Sequence, residues 1–272
     1  MKASMMTNTV LILTAFLASL NSAAFAQSSS QAIVTYLGNE GLLFSDGEHK
    51  VLFDPFFHNV YGQYQAVPQS IQDAITSNSS PYDNIDVIVV SHSHGDHFSA
   101  ESVATYLSNN EDVTLVAPSQ ATIEVIENTP SLEDQIVSLE LEFGDTAVTT
   151  ELGNIRIESV RIPHAGWPER QEIANLVHRV SLADQHTIIH MGDADPNDEH
   201  FAPFAGHWLA QDSELAFPPY WFFISPQGPM ILQDRINAKE AVGVHVPVEV
   251  PEELIESGAE FFTVPGSEKV LR

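Results

Sequence analysis

Cysteine is absent from the sequence. Its absence excludes disulfide cross-links, thiolate metal ligands, a thiol nucleophile and anchoring through a lipidated cysteine. Positive charge is also scarce: 10 lysines and arginines face 37 aspartates and glutamates, for a formal net charge of −27. So acidic a surface repels nucleic acid and anionic membranes, and nucleic acid is not an expected partner. Past residue 26 no uninterrupted apolar run reaches the roughly 18 residues that a membrane-spanning helix needs, so stable membrane insertion is not expected either. No low-complexity linker or shift in composition divides the chain.

What is present begins with residues 1–26, MKASMMTNTVLILTAFLASLNSAAFA. Lys2 supplies a short positive start, Val10–Leu20 an apolar centre, and Ala24-Phe25-Ala26 a small-residue exit of the A-x-A type. This order is that of a secretory signal. Cleavage is expected after Ala26, with export to the periplasm or the medium. Residues 27–272 are then long enough for one large α/β domain with its own core. No pattern specifies an oligomeric state.

Along that stretch AIVTYLG, GLLFSDG, KVLFDP and DVIVV read as strands. SIQDAITS, SAESVATYLSNN and SQATIEVIEN read as helices, with Ser99 and Ser119 expected as N-caps of the latter two. VTLVAP is a strand between helices. From Gln135 to Ile162 the pattern is strand-rich, and ANLVHRVSLADQHTIIHMGD reads as a strand pair turning near Asp184-Gln185. The tail carries a strand at AVGVHVP, a helix at PEELIESG and a strand at EFFTVP. Two runs of strands, each with helices, predict two packed halves with helices on the outer faces.

Residues 91–97 read SHSHGDH, directly after the apolar run DVIVV. His92 and His94 are two apart, so an extended chain projects them to one side. Asp96 and His97 follow where the loop enters a helix. Imidazole nitrogen suits zinc, iron or manganese, and carboxylate adds charge. So dense a cluster can serve two ions but cannot complete either alone, since a catalytic ion takes about three or four protein donors. Three further strands end in a coordinating residue: IRIESVRIPH in His164, TIIHMGD in Asp193 and AVGVH in His245. Loops at strand ends are where active sites gather in layered α/β folds. Asp54, after a strand and before Pro55, is expected to hydrogen-bond one of the histidines. His190 alternates with a core pattern and is read as structural; His49, His58, His178, His186, His200 and His207 are not assigned a ligand role.

The lead-in TYLGNEGLLF…KVLFDP, the H-x-H-x-D-H loop, a later lone histidine, a Gly-Asp and a final histidine together resemble the metallo-β-lactamase superfamily, over about Ala32–Pro265. YLGNEGLLF and FDPFF most resemble its branch of broad metal-dependent hydrolases, which includes the ascorbate-6-phosphate lactonases and the N-acyl-phosphatidylethanolamine phospholipase D enzymes. The resemblance implies a four-layer αββα sandwich. It implies one metal site from His92, His94 and His164, a second from Asp96, His97 and His245, and Asp193 bridging two divalent ions, Zn2+ first, with Mn2+ or Fe2+ as alternatives. It implies a dinuclear hydrolase in which a metal-bridging hydroxide, aimed by Asp96, attacks an ester, lactone or phosphodiester of a small-molecule substrate. The missing cysteine argues against those zinc β-lactamases that have a cysteine in the second site.

Specificity then falls to the loops. Tyr61, Trp167, Tyr220 and Trp221 are aromatic candidates, although FPPYWFF (Phe217–Phe223) reads equally as a buried strand. Only Arg161 and Arg170 flank the site in sequence, too few positive donors for a polyphosphate. Two other functions stay open at this level: a mononuclear iron oxygenase on the same scaffold, and a non-catalytic metal-binding protein of the cell envelope.

Overall fold

Strand alternation decides the architecture. Successive side chains of a strand point to opposite faces. The computed structural model describes residues 31–271; the expected leader lies outside them. The strands β1 (Ile33–Gly38), β2 (Gly41–Ser45), β3 (Lys50–Phe53), β4 (Val87–Val89), β5 (Thr114–Pro118) and β6 (Ile136–Leu139) lie side by side in that order. The pairs β1–β2 and β2–β3 are antiparallel, and from β3 to β6 all pairs are parallel. In this sheet Val34, Phe44, Val51, Phe53 and Val89 face one way, while Leu43, Leu52, Ile88 and Leu115 face the other.

A second sheet repeats the plan. The strands β7 (Val148–Leu152), β8 (Ile155–Arg161), β9 (Leu176–Leu182) and β10 (His186–His190) form an antiparallel meander. The strands β11 (Ser213–Phe217), β12 (Ala238–Gly243) and β13 (Glu260–Phe261) continue it in parallel. The short β14 (Glu268–Val270) crosses back and pairs antiparallel with β1, so each sheet has seven strands.

The inner faces meet in one core, where Phe44, Phe53 and Val89 of the first sheet share a cluster with Leu176, Val180, Ile188 and Phe217 of the second. Each such side chain contributes about 1.5–3 kcal/mol by leaving water. Outside the first sheet, α1 (Gln69–Thr76), α2 (Ala100–Ser108) and α3 (Ser119–Asn128) enclose a second cluster with Val103, Leu107 and Val125. Outside the second sheet, α4 (Asp198–Phe201), α5 (Ala205–Leu209), α6 (Trp221–Ile224) and α7 (Gly228–Asp234) enclose a third with Phe201, Trp208, Phe222 and Ile231. The helix α8 (Glu252–Ser257) packs beside α6. The layers are therefore helix, sheet, sheet, helix, as expected.

Ser99 caps α2, accepting from the Ser102 amide at 3.4 Å. Ser119 does not cap α3. The strand β5 runs straight to Pro118, which takes the cap position without a side-chain bond, and Ser119 is the first helical residue. FPPYWFF is likewise no single strand: β11 ends at Phe217, the two prolines break the ladder, and α6 starts at Trp221. Among the described residues no helix is long and apolar enough to cross a membrane.

Candidate metal centre

The same end of both sheets delivers the coordinating residues. The loop 91–97 follows β4, His164 follows β8, Asp193 follows β10 and His245 follows β12. At β10 the turn is glycine-dependent. Gly192 has φ +51°, and a Cβ there would lie 2.4 Å from Asn175 Oδ1 and 2.6 Å from Ser91 Cβ. Asn175 Oδ1 in turn accepts from the Asp193 amide at 2.9 Å, which fixes the direction of the aspartate. Asn39, in the β1–β2 turn, ties two other segments: its Nδ2 donates to the Asp96 carbonyl at 2.9 Å, and its carbonyl accepts from the His245 amide at 3.1 Å. Asp54 and His245 both adopt left-handed backbone, φ 40° and 56°. Such conformations cost ~1–3 kcal/mol each in non-glycine residues and gather at functional sites.

Seven residues expected from the sequence converge into two adjoining groups. In one, His92, His94, His164 and Asp193 offer atoms all within 4.8 Å of one another; in the other, Asp96, His97 and His245 do. His94 Nδ1 lies 3.1 Å from both His92 Nε2 and His164 Nε2. Asp193 divides its carboxylate between the groups. Its Oδ2 is 3.2 Å from His164 Nε2 and 3.9 Å from His92 Nε2. Its Oδ1 is 3.4 Å from His97 Nε2 and 3.2 Å from His245 Nε2. Asp96 Oδ2 completes the second group at 3.3 Å from His245 Nε2 and 3.8 Å from His97 Nε2.

These separations fit cations. A tetrahedron with zinc–nitrogen bonds of ~2.0–2.1 Å has edges of ~3.4 Å, close to most of the donor–donor distances. The buried atoms His97 Nε2, His245 Nε2 and Asp193 Oδ1 also have no hydrogen-bond partner within the protein. Buried polar atoms left so cost stability unless something else satisfies them.

The outer nitrogens of His97, His92 and His164 are held by further hydrogen bonds. Asp54 Oδ2 accepts from His97 Nδ1 at 2.8 Å and from Ser91 Oγ at 2.6 Å, and its Oδ1 accepts from the Ser91 amide at 2.8 Å. With its proton on Asp54, Ser91 Oγ accepts from His92 Nδ1 at 3.0 Å. His164 Nδ1 donates to the Ala165 carbonyl at 2.7 Å. Each bond fixes a tautomer and leaves Nε2 free to face the centre. The expected role of Asp54 matches this geometry.

Burial and the neighbouring imidazoles hold His92 well below the usual histidine range; burial and His164 also lower His94. Burial opposes charge on His97, yet the Asp193 and Asp54 carboxylates raise it well above that range. Burial also opposes ionisation of Asp193, but His245, His97 and His164 hold it well below the usual carboxylate value. Asp96 is lowered too, its burial outweighed by the His245 hydrogen bond and by His97.

His190 stays outside the centre, stacked on Phe53 with Nε2 donating to the Glu40 carbonyl at 3.0 Å. His178 Nε2 donates to the Val90 carbonyl, and burial first of all lowers this imidazole to about 4. Glu40 joins the surroundings of the centre without a cue in the sequence. Its carboxylate is fully buried, 3.5 Å from His190 Nε2 and 4.0 Å from His97 Nδ1, and burial together with Asp193, Asp54 and Asp96 raises it well above the usual range. The dipeptide Asn39-Glu40 reads as turn chemistry, and nothing local marks a buried carboxyl.

A cavity of about 880 Å³ opens onto His94, Asp96, Asp193 and His245, and Tyr61, Tyr220 and Trp221 line it. Trp167 does not line it: it stays exposed, with its ring 5.7 Å from that of His200 and 6.3 Å from that of Phe143. Tyr64, from the aperiodic loop after β3, does line it and meets the His245 ring edge-on at 4.1 Å.

The family model of the beta-lactamase superfamily domain matches residues 33–207. The chain belongs to that family. Solved structures share the fold. The metallo hydrolase Igni18 of Ignicoccus hospitalis is 12% identical with a TM-score of 0.60, over 89% of this chain and 99% of its own. A possible metal-dependent hydrolase of Veillonella parvula is 14% identical with a TM-score of 0.61, over 89% and 100%. CmlA of Streptomyces venezuelae, a diiron β-hydroxylase, is 10% identical with a TM-score of 0.51, over 89% of this chain and 54% of its own. At these identities the likeness is one of fold. No curated protein sequence matches the chain significantly.

Proposed function

We propose that the protein is an exported hydrolase dependent on two divalent metal ions, Zn2+ in the first instance, acting on an ester, lactone or phosphodiester of a small molecule. The observation that carries this reading is the divided Asp193 carboxylate, one oxygen turned to each group of histidines. His92, His94, His164 and Asp193 would hold one ion, and Asp96, His97, His245 and Asp193 the other. Bound there, such a pair would supply a nucleophilic hydroxide at neutral pH and would polarise the bond under attack. Asp96 lines the cavity and stays ionised, so its carboxylate accepts a hydrogen bond from the attacking water and aims it. Asp54 and Ser91 keep the histidine rings in register. Tyr64 and Trp221 bracket His245, with ring centroids 4.1 and 5.2 Å away, and shut bulk water out on that side.

Purified protein should contain about two metal ions per chain and release product from at least one member of a panel of aryl esters, lactones and bis-aryl phosphates. Iron at one per chain with oxygen consumption would replace this reading by a mononuclear iron oxygenase. Metal without turnover of any kind would favour a binding protein. Export is tested by N-terminal sequencing: a mature start at Gln27 supports it, and a retained Met1 refutes it.

A further inference from the structure

We propose that Arg170 is a specificity residue that receives a carboxylate carried by the substrate away from the bond that is broken, so that the substrate class is organic carboxylates with a hydrolysable bond. This rests on the hydrolytic reading above. The first observation concerns the cations. Lys50, Arg156, Arg161, Arg179, Arg235 and Lys269 each meet a carboxylate at 2.6–2.8 Å. Among the described lysines and arginines only Arg170 and Lys239 meet none. Lys239 lies on β12 away from the cavity, whereas Arg170 lines it. In a chain of net charge −27, a guanidinium left without a carboxylate beside a candidate metal centre is available to an incoming anion.

The second observation is that the loop carrying it is fastened. Arg161 Nη2 donates to the Gln171 carbonyl at 3.0 Å, and Gln120 on α3 donates to the Glu172 carbonyl at 2.6 Å. Gln120 Oε1 also accepts from the Ala174 amide at 2.9 Å. On the other side, the Ala165 amide donates to the Asp193 carbonyl at 2.7 Å. The arginine stem lies along Gly166: a Cβ there would be 3.4 Å from Arg170 Cδ and 3.6 Å from Nε. The guanidinium is thus presented from a braced backbone, and its planar fork matches a carboxylate with two parallel hydrogen bonds.

The rest of the wall narrows the ligand. Glu169 and Glu172 line the same side and oppose any second negative charge beside Arg170. Tyr61, Tyr64, Tyr220 and Trp221 line the cavity and suit an organic body rather than a polyphosphate chain. The expected occupant carries one carboxylate for Arg170 and presents an uncharged ester, lactone or amide to the metal ligands.

The test is a binding series on the metal-loaded protein, read by calorimetry without turnover. Straight-chain dicarboxylates from succinate to pimelate are compared with monocarboxylates of equal length. One carboxylate occupies the metal end, so the second reports on Arg170. At least one dicarboxylate should bind about 3- to 5-fold more tightly than its monocarboxylate match, the scale of a solvent-exposed ion pair. Arg170→Ala should abolish that preference while leaving metal content and monocarboxylate affinity unchanged, and Arg170→Lys should restore it in part. Equal binding of both series by the wild type, or a preference that survives in Arg170→Ala, would overturn the assignment. A negative ester and lactone screen would remove the hydrolytic reading without altering this ratio, so the two failures are distinguishable.

Discussion

The two groups of candidate metal ligands differ in charge and in what lies behind them. His92, His94 and His164 bring three imidazoles and no carboxylate of their own; His94 is half-exposed, and burial and neighbouring imidazoles keep His92 and His94 deprotonated. Asp96, His97 and His245 are all buried, include a carboxylate, and are backed by Asp54 at 2.8 Å from His97. There, without metal, the proton on His97 acts as counter-charge to Asp193 and Asp54. The first group is ready to take a cation, and the second must give up a proton to do so. Burial is thus not a measure of readiness: the more exposed group is the less encumbered.

Removing both ions should have the largest effect. With free metal at about 1,000 times Kd, binding adds about 4 kcal/mol per site, so chelation should lower the melting temperature clearly. The loss should depend on pH. His97 is raised above the ordinary histidine value, so the stability its proton gives the metal-free protein is complete below pH 6.5 and disappears as pH rises through its folded pKa. Chelation should therefore destabilise more at pH 9 than at pH 6.5, by differential scanning calorimetry. Equal losses would contradict the role given to His97.

Asp193→Ala comes next, because Asp193 alone serves both groups. It should reduce bound metal below that of His245→Ala, and lower kcat by more than the roughly 100-fold limit typical of supporting residues. His245→Ala should keep one ion, at the His92 group. Mass spectrometry under native conditions separates these outcomes. Asp54→Asn should be milder, weakening the second ion about 10–100-fold and leaving the first nearly unchanged. Equal weakening of both would merge the two groups into one unit.

The smallest effect is in protons. Titrating Zn2+ into metal-free protein at neutral pH should release about two protons with the second equivalent, one from His97 and one from the water ionised between the ions, and almost none with the first, by calorimetry in buffers of different ionisation enthalpy. As pH falls, the Asp96 group should empty before the His92 group.

The sequence carries most of this arrangement because the cues are local. His92, His94, Asp96 and His97 occupy one short loop after an apolar strand, and His164, Asp193 and His245 each follow strands that their own alternation reveals. Non-local facts were hidden. The strand β14 takes its structure from pairing with β1 at the other end of the described chain. Glu40 is buried only because two sheets close over it, and Tyr64 reaches His245 from a loop with no period. Trp167 and Arg161 stand beside the site in sequence, yet one rests against His200 and Phe143 and the other meets the Glu142 carboxylate at 2.7 Å.

Anomalous diffraction from crystals grown with Zn2+, measured on both sides of the zinc edge, decides whether two ions sit on either side of Asp193. Two peaks are expected, one among His92, His94 and His164 and one among Asp96, His97 and His245, with a different Asp193 oxygen nearest each. A single peak, or two peaks with Asp193 turned away from either, would contradict that arrangement.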